Sequence, residues 1–192
     1  SAQSLVDIIV FAGRAKFSNV QKDLVGGLLQ RLINYKFDGA DNIDHSGYKI
    51  CCTALLYKLK GFKNSADWEH LIEWVEDVSV ISDRVFILTK IIDSMPASLN
   101  QRKKQVLREA VELIDSLKCG YERLSRCEML ADVGVDIDKP LVKKLVERAV
   151  LLSTNEDSEA FEEKRLGLID SLYSMDKDFA SSLSAMVDDD PA

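Results

Sequence analysis

The sequence predicts an all-α protein, a right-handed superhelical stack of about five antiparallel helix hairpins (an α-α superhelix). Three observations predict it. The chain matches itself without a gap at an offset of 39 residues, the step from Arg84 to Arg123. Each half of the repeated unit carries one apolar stripe at helical spacing. Only three prolines and nine glycines occur in 192 residues, which suits long helices and short turns.

The repeat is clearest from Ser82 to Gly120. At the 39-residue offset Leu88 falls on Cys127 and then Leu166, and Ile91 falls on Leu130 and then Ile169. Val106 and Leu107 fall on Leu145 and Val146, and Ala110 falls on Ala149. Breakers separate the halves: Met95 to Ser98 in one unit, Gly134 to Pro140 in the next. Gly120 and the cluster Ser153-Thr154-Asn155 separate unit from unit. The repeated alanines suit close helix crossings.

The other elements follow in order. A first helix is expected over residues 3–16, with Leu5, Ile8, Ile9 and Ala12 on one face. Asn19 is a candidate cap for a second helix, reaching about Lys36, with Leu24, Leu28, Leu32 and Tyr35 as its core stripe. Gly26-Gly27 inside that helix suggests a close crossing or a kink. Phe37 to Gly47 reads as a loop whose aspartates lack the spacing of a calcium loop. Tyr48 to Leu59 is helical and ends at Gly61. Ser65 caps a helix to Val78, and its two tryptophans, Trp68 and Trp74, are either core or a binding anchor. The predicted hairpins cover roughly 3–37, 46–78, 80–117, 121–153 and 158–187 of one domain, the last built on Leu166, Ile169, Leu172, Tyr173, Phe179, Leu183 and Met186. An acidic tail, 188–192, follows.

Composition narrows the function. No apolar run approaches the roughly 18 residues of a membrane span, and Asp7 interrupts the segment that most resembles a signal peptide. Membrane insertion is therefore not expected. Net charge is +4 up to Lys63 and −11 beyond it, so the acidic part repels phosphate and nucleic acid is not an expected partner. Four cysteines, two of them adjacent, form no zinc pattern, and a reduced, cytoplasmic protein is the expectation. Asp67 and His70 have carboxylate-x-x-His spacing, but a second copy is missing. Neither a metal nor a cofactor is expected.

These units resemble the helical-hairpin solenoids, the class that includes tetratricopeptide, HEAT and armadillo repeats, over about residues 46–187. The tetratricopeptide signature itself is missing, and the unit is longer than its roughly 34 residues. The resemblance implies a protein or peptide partner held on an extended surface lined by the first helix of each hairpin. The expected function is a non-catalytic binding module, a scaffold or regulator, either alone or as a segment of a larger protein. Phe86, Lys90, Arg126, Met129, Arg165 and Leu168 are its candidate contacts. The alternative is a helical-bundle enzyme or a small-ligand or metal-binding protein, built on Asp67, His70, the Asp-rich loop and Cys51-Cys52.

Overall fold

A computed structural model describes residues 18–34, 45–153, 159–173 and 176–188. These form eight α-helices and one 3-10 turn, with no strand among the described residues. The helices are α1 (Asn19–Asn34), α2 (His45–Lys60), α3 (Ser65–Val75), α4 (Ile81–Ser94), α5 (Asn100–Asp115), α6 (Gly120–Leu152), α7 (Glu159–Tyr173) and α8 (Lys177–Asp188). The expected helix over 3–16, most of the Asp-rich loop, the side chains of Tyr173 and Met186, and the end of the acidic tail lie outside the described residues. Among the described residues no helix is long and apolar enough to cross a membrane. The chain divides into two compact units, residues 1–106 and 107–192.

In the first unit α1 packs on α2, α2 on α3 and α4, and α3 on α4. Trp68, Leu71, Leu55, Ile87 and Ile91 fill its core. The cap of α1 is Ser18, one residue earlier than expected. Its backbone N–H donates to Gln21 Oε1 at 2.9 Å, while Gln21 N–H donates to Ser18 Oγ at 3.4 Å. This reciprocal pair is a capping box, and it satisfies two helix-end donors at once. Asn64, not Ser65, caps α3, its Oδ1 accepting from Ala66 N–H at 3.2 Å. The α2 end is as expected. Gly61 sits at φ +69°, and Phe62 N–H reaches back to Tyr57 C=O at 3.0 Å, closing a left-handed cap.

The core stripe of α1 differs from expectation. Leu24 is 70% and Leu28 45% exposed, whereas Leu29 is fully buried. The helix is turned so that Gly26 meets Leu56 of α2, and a Cβ there would stand 3.6 Å from the leucine methyl. Gly47 allows a closer approach still, since a Cβ on it would lie 2.8 Å from Ile87 Cδ1 of α4.

In the second unit α6 packs on α7 and α8, and α7 packs on α8. The expected breaker from Gly134 to Pro140 contracts to one residue. Asp138 alone leaves helical geometry, at φ −150° and ψ 76°, and its Oδ1 then caps the following segment by accepting from Leu141 N–H at 3.3 Å. The bend is sharp. Residues 134 and 142 of a straight helix would be about 12 Å apart along the axis, yet a Cβ on Gly134 would stand 2.9 Å from Val142 Cγ2 and from Leu107 Cδ1. Thus α6 is two helical segments folded against each other, 120–137 and 139–152, and Gly134 is the small residue that lets them meet.

The third unit is out of step with the sequence alignment. Leu166, matched to Leu88, is 51% exposed, while Ile169 (3%) and Leu172 (1%) are buried. Arg165 lies 42 residues after Arg123, three more than the 39-residue offset.

Asp176 holds α8 in place. It accepts from Phe179 N–H at 3.1 Å and from Lys143 Nζ, with Lys139 at 3.7 Å. The Lys143 hydrogen bond, then that of Phe179, keeps its carboxyl below the ordinary value. A lowered folded value stabilises the fold above the unfolded carboxylate range and is lost as pH falls through it. Asp176→Asn keeps the cap but removes the charge. It should lower Tm at neutral pH and flatten the loss of Tm between about pH 5 and pH 3. Parallel acid curves for the two proteins would show that this carboxylate contributes nothing.

Candidate functional site

Three arginines, Arg84, Arg123 and Arg165, share one arrangement. Each stands in the first turn or two of a helix and reaches the end of the helix before it. Arg84 of α4 donates Nε–H to Val78 C=O and Nη2 to Glu76 C=O at 2.8 Å. Arg123 of α6 donates to Leu117 C=O, and Arg165 of α7 donates to Ser153 C=O. The last carbonyls of a helix have no partner within it and carry partial negative charge. A guanidinium there supplies both hydrogen bond and countercharge.

This fixes where the candidate contacts stand. Arg165 is one of these clamps, so it is engaged with the backbone. Leu168 is fully buried, because the three-residue shift turns it onto the core face of α7. Phe86 and Lys90 are half-buried on α4, with the Lys90 ammonium 5.4 Å from the Phe86 ring centre. Arg126 and Met129 are half-buried on α6, with Nη1 3.5 Å from the thioether sulfur. Each pair is a cation or guanidinium laid on a polarisable apolar group. The first pair belongs to the first unit and the second pair to the second.

Among the described residues, those offered for chemistry form no metal-binding group. His70 is an exposed side chain whose Nδ1 lies 3.3 Å from Glu73 Oε2, one turn along the same helix. No group of three or more His, Cys, Asp or Glu that could hold a metal occurs among the described residues. Cys51, Cys52 and Cys127 are buried free thiols, and Cys119 is exposed. Burial pushes the Cys52 thiol up to about 11 and those of Cys51 and Cys127 higher still. The thiolate is the nucleophile, so these three are inert at neutral pH. An excess of a thiol reagent should modify one of the four cysteines in the native protein and all four in denaturant. Rapid native labelling of two or more would contradict this burial.

The tryptophans separate. Trp68 is fully buried, with its ring edge-on to Tyr57 at 5.5 Å. Trp74 is 51% exposed. It stands on a groove of about 490 Å³ whose floor is Ile33, Ile50, Leu56 and Tyr57 and whose rim includes Lys49 and Asp77. All belong to the first unit. The groove lies in the range of small-molecule and peptide clefts and is mainly apolar. Sequence reasoning named Trp74 as a possible anchor but not the groove, because Ile33 and Ile50 come from helices whose packing the repeat does not fix. A second groove, about 640 Å³, runs along the second unit beside Val111, Leu141, Leu151 and Leu152.

Comparison with protein-family models, with curated proteins and with solved structures returns no match.

Proposed function

We propose that the chain is a non-catalytic protein- or peptide-binding module, a scaffold or regulator made of stacked helix hairpins. The groove beside Trp74 carries this reading. A half-exposed tryptophan over an apolar floor with a mixed-charge rim is the composition of a binding hot spot. Phe86, Lys90, Arg126 and Met129 are proposed as further contacts, each pair on its own unit.

The stacked-hairpin reading draws support from the ion pairs. Glu69 pairs bidentately with Arg102, with Oε2 to Nη2 at 2.7 Å, and Lys58 with Asp93 at 3.1 Å. Asp115 pairs with Arg148 at 2.6 Å, and Glu128 with Lys164. If the two segments of α6 count separately, every one of these joins a helix to the next but one. That is the pattern of first helices on first helices and second on second. In such a stack each hairpin contacts mainly its neighbours and leaves a continuous surface for a partner. A right-handed superhelix of about five hairpins is the arrangement we infer.

Panning a peptide library displayed on phage against the purified chain tests the binding claim. Peptides should be enriched, and Trp74→Ala should weaken their binding at least tenfold, as truncation of a central aromatic anchor does. Enriched peptides that bind Trp74→Ala, Phe86→Ala and Met129→Ala as well as wild type would contradict it.

A further inference from the structure

The groove beside Trp74 is framed by three helices of the first unit. Both α1 and α3 pack on α2 but barely on each other, so one face of α2 is left between them. That face carries Ser46, Ile50, Thr53 and Tyr57, at steps of four, three and four residues, which is the spacing of one helical stripe. At 1.5 Å per residue the stripe runs about 16 Å. Gln30 and Ile33 of α1 line the groove from one side. Trp74 of α3, and Asp77 just beyond that helix, line it from the other.

We propose that this groove takes an amphipathic α-helix of about three turns, with apolar residues at i, i+4 and i+7 and charges of both signs beside them. The inference rests on the binding role proposed above and narrows its partner. Shape selects the helix. A volume of about 490 Å³ spread along three turns of α2 is a slot for one row of side chains, as when the ridge of one helix settles into the groove of another. Other peptide forms lack what they need. A strand adds to an exposed sheet edge, and the described residues contain no strand. A proline-rich segment docks on a row of exposed aromatic rings. Here Trp74 is exposed, but Tyr57 is engaged by Phe62, stacked at 4.7 Å, and by Trp68.

Charge narrows the partner further. Lys49 and Asp77 on the rim are both exposed, and neither forms an ion pair with another described residue. A helix with an acidic residue opposite Lys49 and a basic one opposite Asp77 complements both. A wholly basic or wholly acidic helix meets a like charge at one of them, which disfavours it as a partner.

Panning tests the proposal. The full chain is panned with a random displayed library of peptides of about 15 residues, long enough to hold a helix. Binders that Trp74→Ala weakens by about tenfold or more are kept. These should share apolar residues at i, i+4 and i+7, and gain helical circular dichroism on binding. A proline placed at their centre should weaken them by about tenfold or more, since it breaks a helix. Lys49→Glu should weaken them several-fold, and reversing the peptide's acidic residue to lysine should restore the loss. Trp74-dependent peptides that tolerate the central proline, or that Lys49→Glu leaves unchanged, would overturn the helical partner while the binding role of the groove stands. Absence of any Trp74-dependent peptide would overturn both.

Discussion

Arg123→Met should destabilise the protein by about 1.5–3 kcal/mol, the range for losing a hydrogen bond made by a charged group. Methionine keeps the apolar stem of the side chain, so the change isolates the guanidinium. Leu117 C=O then loses the cation that closes the end of α5. Arg123→Lys should recover less than half of the loss, because an ammonium is a compact, strongly hydrated point charge without the planar fork. The comparison is Arg108→Met. Arg108 is 61% exposed and stands 3.9 Å from Asp138, so its removal should cost no more than about 0.5 kcal/mol. Urea unfolding of the two variants decides the matter. Equal midpoints would show that the repeated arginine is an ordinary surface residue and not a clamp.

Trp68→Ala should have the larger effect, a loss of about 3–5 kcal/mol. The ring is fully buried, and it supports Tyr57, which stacks in turn on Phe62 at 4.7 Å. Trp74→Ala should change stability by less than about 1 kcal/mol, since half of that side chain already faces solvent. The pair therefore separates the two roles open to each tryptophan, core bulk or binding anchor. If Trp74→Ala unfolds the protein as readily as Trp68→Ala, the groove is part of the core and the binding role of Trp74 fails.

How far the sequence could be read depends on which physical signal each element carries. Positions buried from both sides repeat in the sequence and were legible. Ile91 and Leu130 are fully buried, as are Leu107 and Val146, and Ala110 and Ala149 repeat as small core residues. The third unit was misplaced because apolar spacing alone accepts a shift of three residues, which is nearly one helical turn. Leu166 and Ile169 both satisfy the pattern. Arg165 held the missing information, since the clamp it shares with Arg84 and Arg123 admits only one register. The bend in α6 was placed broadly because Gly134 reads as a breaker. Its role is instead to let two segments approach, which depends on Val142 just beyond the bend and on Leu107 in the preceding helix. The stripe of α1 was assigned to the core for a related reason. An amphipathic pattern reports an apolar face but not the neighbour that covers it.

The candidate site was less legible than the fold. Phe86, Lys90, Arg126 and Met129 stand at partly exposed positions on their helices, but Leu168 does not. The groove beside Trp74 needs α1, α2 and the end of α3 together, and no local pattern encodes that meeting.

Small-angle X-ray scattering on the purified chain tests the hairpin stack most directly. A compact globule of this length has a radius of gyration of about 16 Å. A stack of hairpins should give a value several ångströms larger, unchanged on dilution, with a distance distribution skewed to long vectors. A value near that of the globule, with a symmetric distribution, would contradict the stack and remove the extended surface on which the proposed binding function rests.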